Sequence, residues 1–198
     1  MARIGFKKGK FNTIDQETNK YSALVNSTVP KLEKVIDIKF APEYNNAELY
    51  ADDALAESDH SFKSGVLTIT VANDDDTKES TLMGNSISIG ANAGEVTKNI
   101  NDSAPEFGYG HIVTKMINGD KKYKVEFFPR CKCTNITTDG KTRGENIEFG
   151  TTTIEAKVYA LETAMNGLAV GDWEKHKTFD TEAAAETYLD TLLTPSTN

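Results

Sequence analysis

The sequence predicts a mainly β protein with one short internal helix and one C-terminal helix. Three observations carry this. Asn118-Gly119 sits between two alternating runs, the strongest short-range hairpin signal a sequence offers. Gly65 to Ala72 alternates Leu67, Ile69 and Val71 with Thr68 and Thr70, a composition suited to a half-buried strand. The stretch from Asp180 to Leu193 is alanine-rich, has Asp180 as its expected cap and Pro195 just past its end, and places Ala185, Tyr188, Leu189, Leu192 and Leu193 on one face, as an amphipathic helix does.

The chain has 198 residues and a net charge of −8. That length suffices for one domain with a sizeable core. The acidic balance argues against binding nucleic acid by phosphate neutralisation. The aromatic content argues against disorder. No apolar run reaches transmembrane length, and Met1-Ala-Arg-Ile-Gly-Phe-Lys-Lys leads into no signal-peptide core, so a soluble protein made in the cytoplasm is expected, with no membrane partner. The glycosylation patterns at Asn26-Ser-Thr and Asn135-Ile-Thr therefore carry little weight. Cys131 and Cys133 lie two apart on an expected strand, where a bridge would be strained and a zinc site lacks further ligands; they read as reduced, half-buried thiols.

In chain order, residues 1–30 read as an irregular polar arm, to be tied to a sheet or to a neighbour. Leu32 to Ala41 reads as a strand with Ile36, Ile38 and Phe40 on one face, ended by Pro42. Residues 43–64 read as a long loop holding Glu43, Glu48, Asp52, Asp53, Glu57 and Asp59. The bland account is solvated surface; the sharper one is a contact loop. Calcium is disfavoured because the required glycine is missing. A short helix is expected over about 75–83, capped by Asn73 or Asp74 and stopped by Gly84. The run Asp74-Asp75-Asp76 suits the helix dipole better than a metal. A strand follows over 85–92, with Ile87 and Ile89 on one face, then a polar connection from Ala93 to Pro105.

In the hairpin, a two-residue loop pairs Gly110 with Phe127, Ile112 with Val125 and Thr114 with Tyr123. Its second arm keeps its alternation through Cys131 and Cys133, on the order of 35–40 Å at ~3.3 Å per residue. The opposite face carries His111, Lys115, Lys122, Lys124 and Glu126, and its lysines are expected to meet outer solvent or a neighbour's carboxylates. A polar loop is expected over Thr134 to Glu145. A last long strand runs from Ile147 to Leu161, with a phase slip near Gly150. Residues 1–165 thus form a β-domain, and 166–198 a C-terminal extension with a helix over about 181–193.

No constellation supports catalysis. His60, His111 and His176 are far apart and lack metal-ligand spacing. There is no nucleophile elbow or phosphate-binding loop. A carboxylate pair for glycoside hydrolysis is the least supported reading. The expectation is a non-enzyme without cofactor or metal.

Several segments in order resemble the major tail proteins of long, non-contractile-tailed bacteriophages, the phi13-type tail tube family. They are Ile4-Gly-Phe with Lys10, Leu49-Tyr-Ala-Asp-Asp, and Gly65-Val-Leu-Thr-Ile-Thr-Val leading to Leu82-Met-Gly84. They continue with Ala104-Pro-Glu-Phe-Gly-Tyr-Gly-His, Tyr123 through Cys133, Thr142-Arg-Gly-Glu-Asn-Ile-Glu-Phe, Trp173, and Phe179-Asp-Thr-Glu-Ala-Ala-Ala-Glu. The resemblance implies a tail-tube-type two-sheet β-sandwich or barrel. Copies of the chain would close into hexameric rings and stack into a tube around a tape-measure protein. Tail terminator and distal tail proteins would sit at its ends, and genomic DNA would pass without specific binding. It implies assembly in the host bacterial cytoplasm and residence in the virion tail. Asp52, Asp53, Glu57, Asp59, Phe107 and Tyr109 are the candidate self-assembly contacts. The alternative is a surface β-sandwich binding carbohydrate or a receptor, with Phe107, Tyr109 and Trp173 as its aromatic platform.

Overall fold

A computed structural model describes residues 2–32, 34–51, 54–72, 75–88, 92–140 and 150–195. In chain order the strands are β1 (Ala2–Asp15), β2 (Lys20–Tyr21), β3 (Lys31–Leu32), β4 (Val35–Tyr44), β5 (Ala47–Ala51), β6 (Ala54–Asp59) and β7 (Phe62–Val71). Helix α1 (Asp76–Met83) follows, then β8 (Ser86–Ile87), β9 (Val96–Thr97), β10 (Glu106–Ile117), β11 (Asp120–Asp139), β12 (Thr151–Val158), β13 (Lys175–Phe179) and helix α2 (Glu182–Leu193). The protein is mainly β with two helices, as the sequence predicts.

The hairpin forms as expected. Asn118 and Gly119 take φ of 51° and 90°, the two positive values that a tight turn between right-twisted strands requires. Gly110 faces Phe127, Ile112 faces Val125 and Thr114 faces Tyr123. The alternation does not persist through β11, however. Tyr109 pairs with Phe128 and Phe107 with Cys131, so β11 carries an extra residue at Pro129–Arg130. This bulge flips the side-chain phase. Val125 and Phe127 enter one core, while Phe128, Cys131 and Cys133 enter the other.

β11 is consequently the pivot of the fold. Its first half lies between β10 and β13, and its second half pairs with β12, which leads through β7 to β4. The two halves form a sandwich. Phe11, Phe107 and Tyr109 from β1 and β10 meet Leu67, Ile69, Ile154 and Val158 from β7 and β12, and Leu82 of α1 joins them. The second core lies on the other face of β10 and β11, where Ala185, Leu189, Leu192 and Leu193 of α2 cover Ile112, Val125 and Phe127. Full burial of each such leucine contributes about 1.5–3 kcal/mol. The terminal helix therefore packs on its own chain.

Several expectations need correction. The N-terminal segment is no irregular arm: β1 pairs along β10 through Thr13. Bulges between Arg3 and Gly5 and between Lys7 and Lys10 break its period, which is why no alternation shows in the sequence. Pro42 does not end β4; it pairs opposite Gly65 at a sheet edge, where proline is tolerated. A bulge at Ile36 turns that side chain outward, 53% exposed, while Ile38 is buried. Of residues 43–64, those described are not a loop but a continuation of the β4–β7 pair into the β5–β6 ribbon.

β11 runs on to Asp139, into the expected polar loop. Its extension is Asn-Ile-Thr-Thr-Asp, a composition that hides a strand. Of the strand expected over 85–92, the described residues show Ser86–Ile87, and Ile89 lies outside them. In the expected polar connection, Val96–Thr97 pairs with it. β12 begins at Thr151, while Ile147 and Phe149 lie outside the described residues. Asp75 caps α1 by accepting from the Lys78 amide; Asn73 and Asp74 lie outside the described residues. Thr181, not Asp180, caps α2. Asp180 instead accepts from Lys122 Nζ at 2.6 Å.

Candidate functional site: open sheet edges and an acidic ribbon

Among the described residues, the sheet made of β4, β7, β12 and the distal half of β11 has two unpaired edges on opposite sides. β4 is the last strand on one side. On the other, the β10 ladder ends at the Glu106–Lys132 pair, so β11 from Cys133 to Asp139 has β12 on one side and no strand on the other among the described residues. Each edge presents a row of backbone donors and acceptors, a template for another strand. Asp37 and Lys39, with Pro42, restrict β4 to selective partners.

The ribbon prolongs this sheet. Asn45 N donates to Ser61 O at 2.8 Å, and Asn45 Nδ2 donates to Ser61 Oγ at 3.0 Å, clamping its base. Beyond this clamp Ala47 pairs with Asp59 and Ala51 with Ala54, and no third strand joins them among the described residues. A two-stranded ribbon without a core of its own is marginal in water. An aromatic stack braces its base: Tyr44 lies on His60, and Phe62 lies on Trp173 with ring centroids 4.2 Å apart and planes at 8°. Phe40 continues the stack toward Phe128 in the core.

Of the candidate contacts, Asp52 and Asp53 lie outside the described residues, as does the side chain of Glu57 in β6. Asp59 is exposed at the ribbon base and accepts from Ser61 N at 3.0 Å. Phe107 and Tyr109 are fully buried in the first core. Tyr109 pairs opposite Phe11 of β1 and Phe107 meets the Phe11 ring edge-on, so neither can act as a surface contact or as an aromatic platform. Trp173 alone of that trio is near the surface, and it stacks on Phe62 rather than meeting the other two.

The polar face of the hairpin is also different from expectation. His111 is 1% exposed, and its Nε2 lies 3.3 Å from Glu126 Oε2. Burial of this imidazole pushes its pKa below the ordinary histidine value, against the opposing pull of Glu126. Glu126 also receives Lys124 at 2.7 Å and Arg3 at 2.9 Å. Burial works to raise its carboxyl, but the adjacent His111 imidazole and the hydrogen bond from Lys124 win and hold it down at about 2. Lys122 and Lys124 thus meet carboxylates of their own chain, not a neighbour's.

β1 and α2 are tied by charge. Lys10 Nζ, with its side chain 2% exposed, lies 2.9 Å from Glu186 and 2.6 Å from Asp190, and Lys7 Nζ lies 3.0 Å from Glu182. Burial pushes the Cys133 thiol up to about 11 and raises Cys131 further, so both stay protonated and inert near neutrality. Among the described residues no group of three or more His, Cys, Asp or Glu side chains is placed to hold a metal ion. No helix among the described residues is long and apolar enough to cross a membrane. Neither the paired open edges nor the structured ribbon was legible beforehand; the one signal was the acidic run itself. No protein-family model matches the chain, and no curated protein matches it.

Proposed function

We propose that this chain is a structural subunit of a bacteriophage tail tube, closing head-to-tail into rings that stack. The observation that supports this reading is the pair of unpaired edges at opposite sides of one four-stranded sheet. A strand at one edge of a subunit can pair with the other edge of its neighbour, a heterologous contact that repeats around a ring and leaves no edge open once it closes. The distal β11 edge supplies seven residues, Cys133 to Asp139, roughly 23 Å of ladder at ~3.3 Å per residue. The ribbon then projects beyond the sheet as a contact toward the next ring. Negative-stain microscopy of purified protein tests this: rings or tubes are expected, and a strictly monomeric species at high concentration overturns it.

A second reading, a carbohydrate-binding sandwich, rests on the aromatic stack at the ribbon base. It is the weaker one, because its rings cover one another's faces. A glycan array separates the two readings, since only the binding module should give saturable signal.

A further inference from the structure

We propose that the groove between the β1 bulge and the β3–β4 junction is a binding site for a small phosphate monoester with an apolar body. The site is independent of assembly. β1 bulges because Lys8 and Gly9 together stand opposite His111, between the Lys7–Ile112 and Lys10–Gly110 pairs. Lys8 takes a left-handed φ of 55° there, and Lys34 takes one of 53° on the facing wall. Non-glycine residues held in that region cluster at ligand clamps. The walls are anchored from behind. Lys34 O accepts from Ala72 N at 3.0 Å, and Pro30 O accepts from Phe11 N at 3.1 Å. They converge where Gly9 pairs with Leu32.

The space between them is about 320 Å³, within the range of small-molecule sites. Phe6, Leu32 and Val35 give it an apolar lining. Lys7, Lys8, Lys31 and Lys34 line the same space, and Glu182 and Glu186 are the carboxylates that approach them, which leaves two positive charges over among the described residues. Lys10 also reaches Glu186, but it has Asp190 of its own at 2.6 Å. Lys34 is in no ion pair among the described residues, and Lys31 Nζ comes only to 4.0 Å from Glu186. A phosphate monoester carries about −1.5 to −2 at neutral pH and matches that excess. A carboxylate or a phosphodiester unit carries a single charge. The net charge of −8 on the chain further opposes a nucleic acid.

The converging end holds a donor. A Cβ at Gly9 would stand 3.3 Å from Tyr109 Oη, 3.3 Å from Leu32 O and 3.0 Å from Val35 Cγ2, so three groove residues meet beside this hydroxyl. The hydroxyl is buried and has no hydrogen-bond partner among the described residues, a rare state for a native polar group. Burial pushes the pKa of the phenol up, so it keeps the proton it has to donate. A phosphate oxygen accepting from Tyr109 Oη, with Lys31 and Lys34 on the other oxygens, leaves the body of the ester against Phe6 and Val35.

Isothermal titration calorimetry of the full chain with phenyl phosphate, at low salt and mildly alkaline pH, tests the site. Saturable binding is expected, at least tenfold tighter than for benzoate, which lacks the second charge, or inorganic phosphate, which lacks the body. Lys31→Gln with Lys34→Gln should weaken it at least tenfold, as the loss of charge-assisted hydrogen bonds does. Tyr109→Phe should weaken it about threefold without lowering the urea midpoint, because it removes an unpaired buried group. A purely structural hydroxyl would do the reverse. Lys98→Gln, at an exposed lysine beside β9 that does not line the groove, should bind as wild type. Far-UV circular dichroism and urea midpoints confirm that each variant folds. No saturable binding by the wild-type chain, equal affinity for inorganic phosphate, or undiminished binding by the double lysine variant overturns the site. Lysine-dependent binding of a single-stranded oligonucleotide, with none of phenyl phosphate, overturns it in favour of a polyanion contact. Ring and tube formation is a separate measurement, so the site and the tail-tube reading can each fail alone.

Discussion

Lys10 Nζ of the first strand lies 2.6 Å from Asp190 Oδ1 of the last helix, and the lysine side chain is 2% exposed. With Glu186 at 2.9 Å, this joins the two ends of the chain through a buried ammonium. Removing both carboxylates strands that charge. Asp190→Asn with Glu186→Gln should lower stability by about 3 kcal/mol, read as a shift in the urea midpoint. Lys10→Met should cost less, because the carboxylates it leaves are partly exposed. The reverse order would show that the carboxylates, not the lysine, carry the constraint.

The Glu126–His111 pair should make the fold acid-sensitive. Glu126 is held at about 2 in the folded chain, below its ordinary 4.5, so its contribution is complete above pH 4.5 and is lost as pH falls toward 2. That contribution is at most about 3 kcal/mol. His111 is pushed below 6.5, so under pH 6.5 the unfolded chain takes up a proton that the folded chain resists, and stability again falls with acid. Urea denaturation from pH 8 to pH 3 should show a monotonic loss. Glu126→Gln should flatten the part below pH 4.5, and an unchanged slope there would count against the assignment.

Gly119, at φ of 90°, occupies a position that a side chain strains. Gly119→Ala should lower stability by about 1–2 kcal/mol, seen as a drop in thermal midpoint, with the hairpin register retained. Asn118→Gly should be nearly neutral by the same measurement, because glycine accepts the positive φ at that position.

Replacing residues 46–60 by Asn-Gly links Asn45 to Ser61 through a two-residue turn, and the backbones of these two residues already hydrogen-bond at 2.8 Å. The shortened chain should keep its circular dichroism spectrum and unfold within a few degrees of wild type, since the ribbon supplies no residue to either core among the described residues. It should form rings without tubes. Wild-type tube yield from this deletion would remove the ribbon from stacking.

Where local pattern and tertiary environment agree, the sequence was readable. The Asn118-Gly119 register, the β7 alternation and the end of α1 at Gly84 follow from turn chemistry and short-range periodicity. β1 was not readable, because two bulges scramble its period and its most buried side chain near the helix is a lysine. His111 looked like surface because nothing local shows that both faces of β10 are covered.

Short-range pattern is enough for the β-rich class, the hairpin register, the terminal helix and its apolar face, and the acidity of the 43–64 stretch. These depend on contacts a few residues apart. Long-range packing alone makes β11 change faces at Pro129, puts Phe107 and Tyr109 in the interior, and pairs β5 with β6 in the acidic stretch. Those outcomes depend on which distant strand lies opposite.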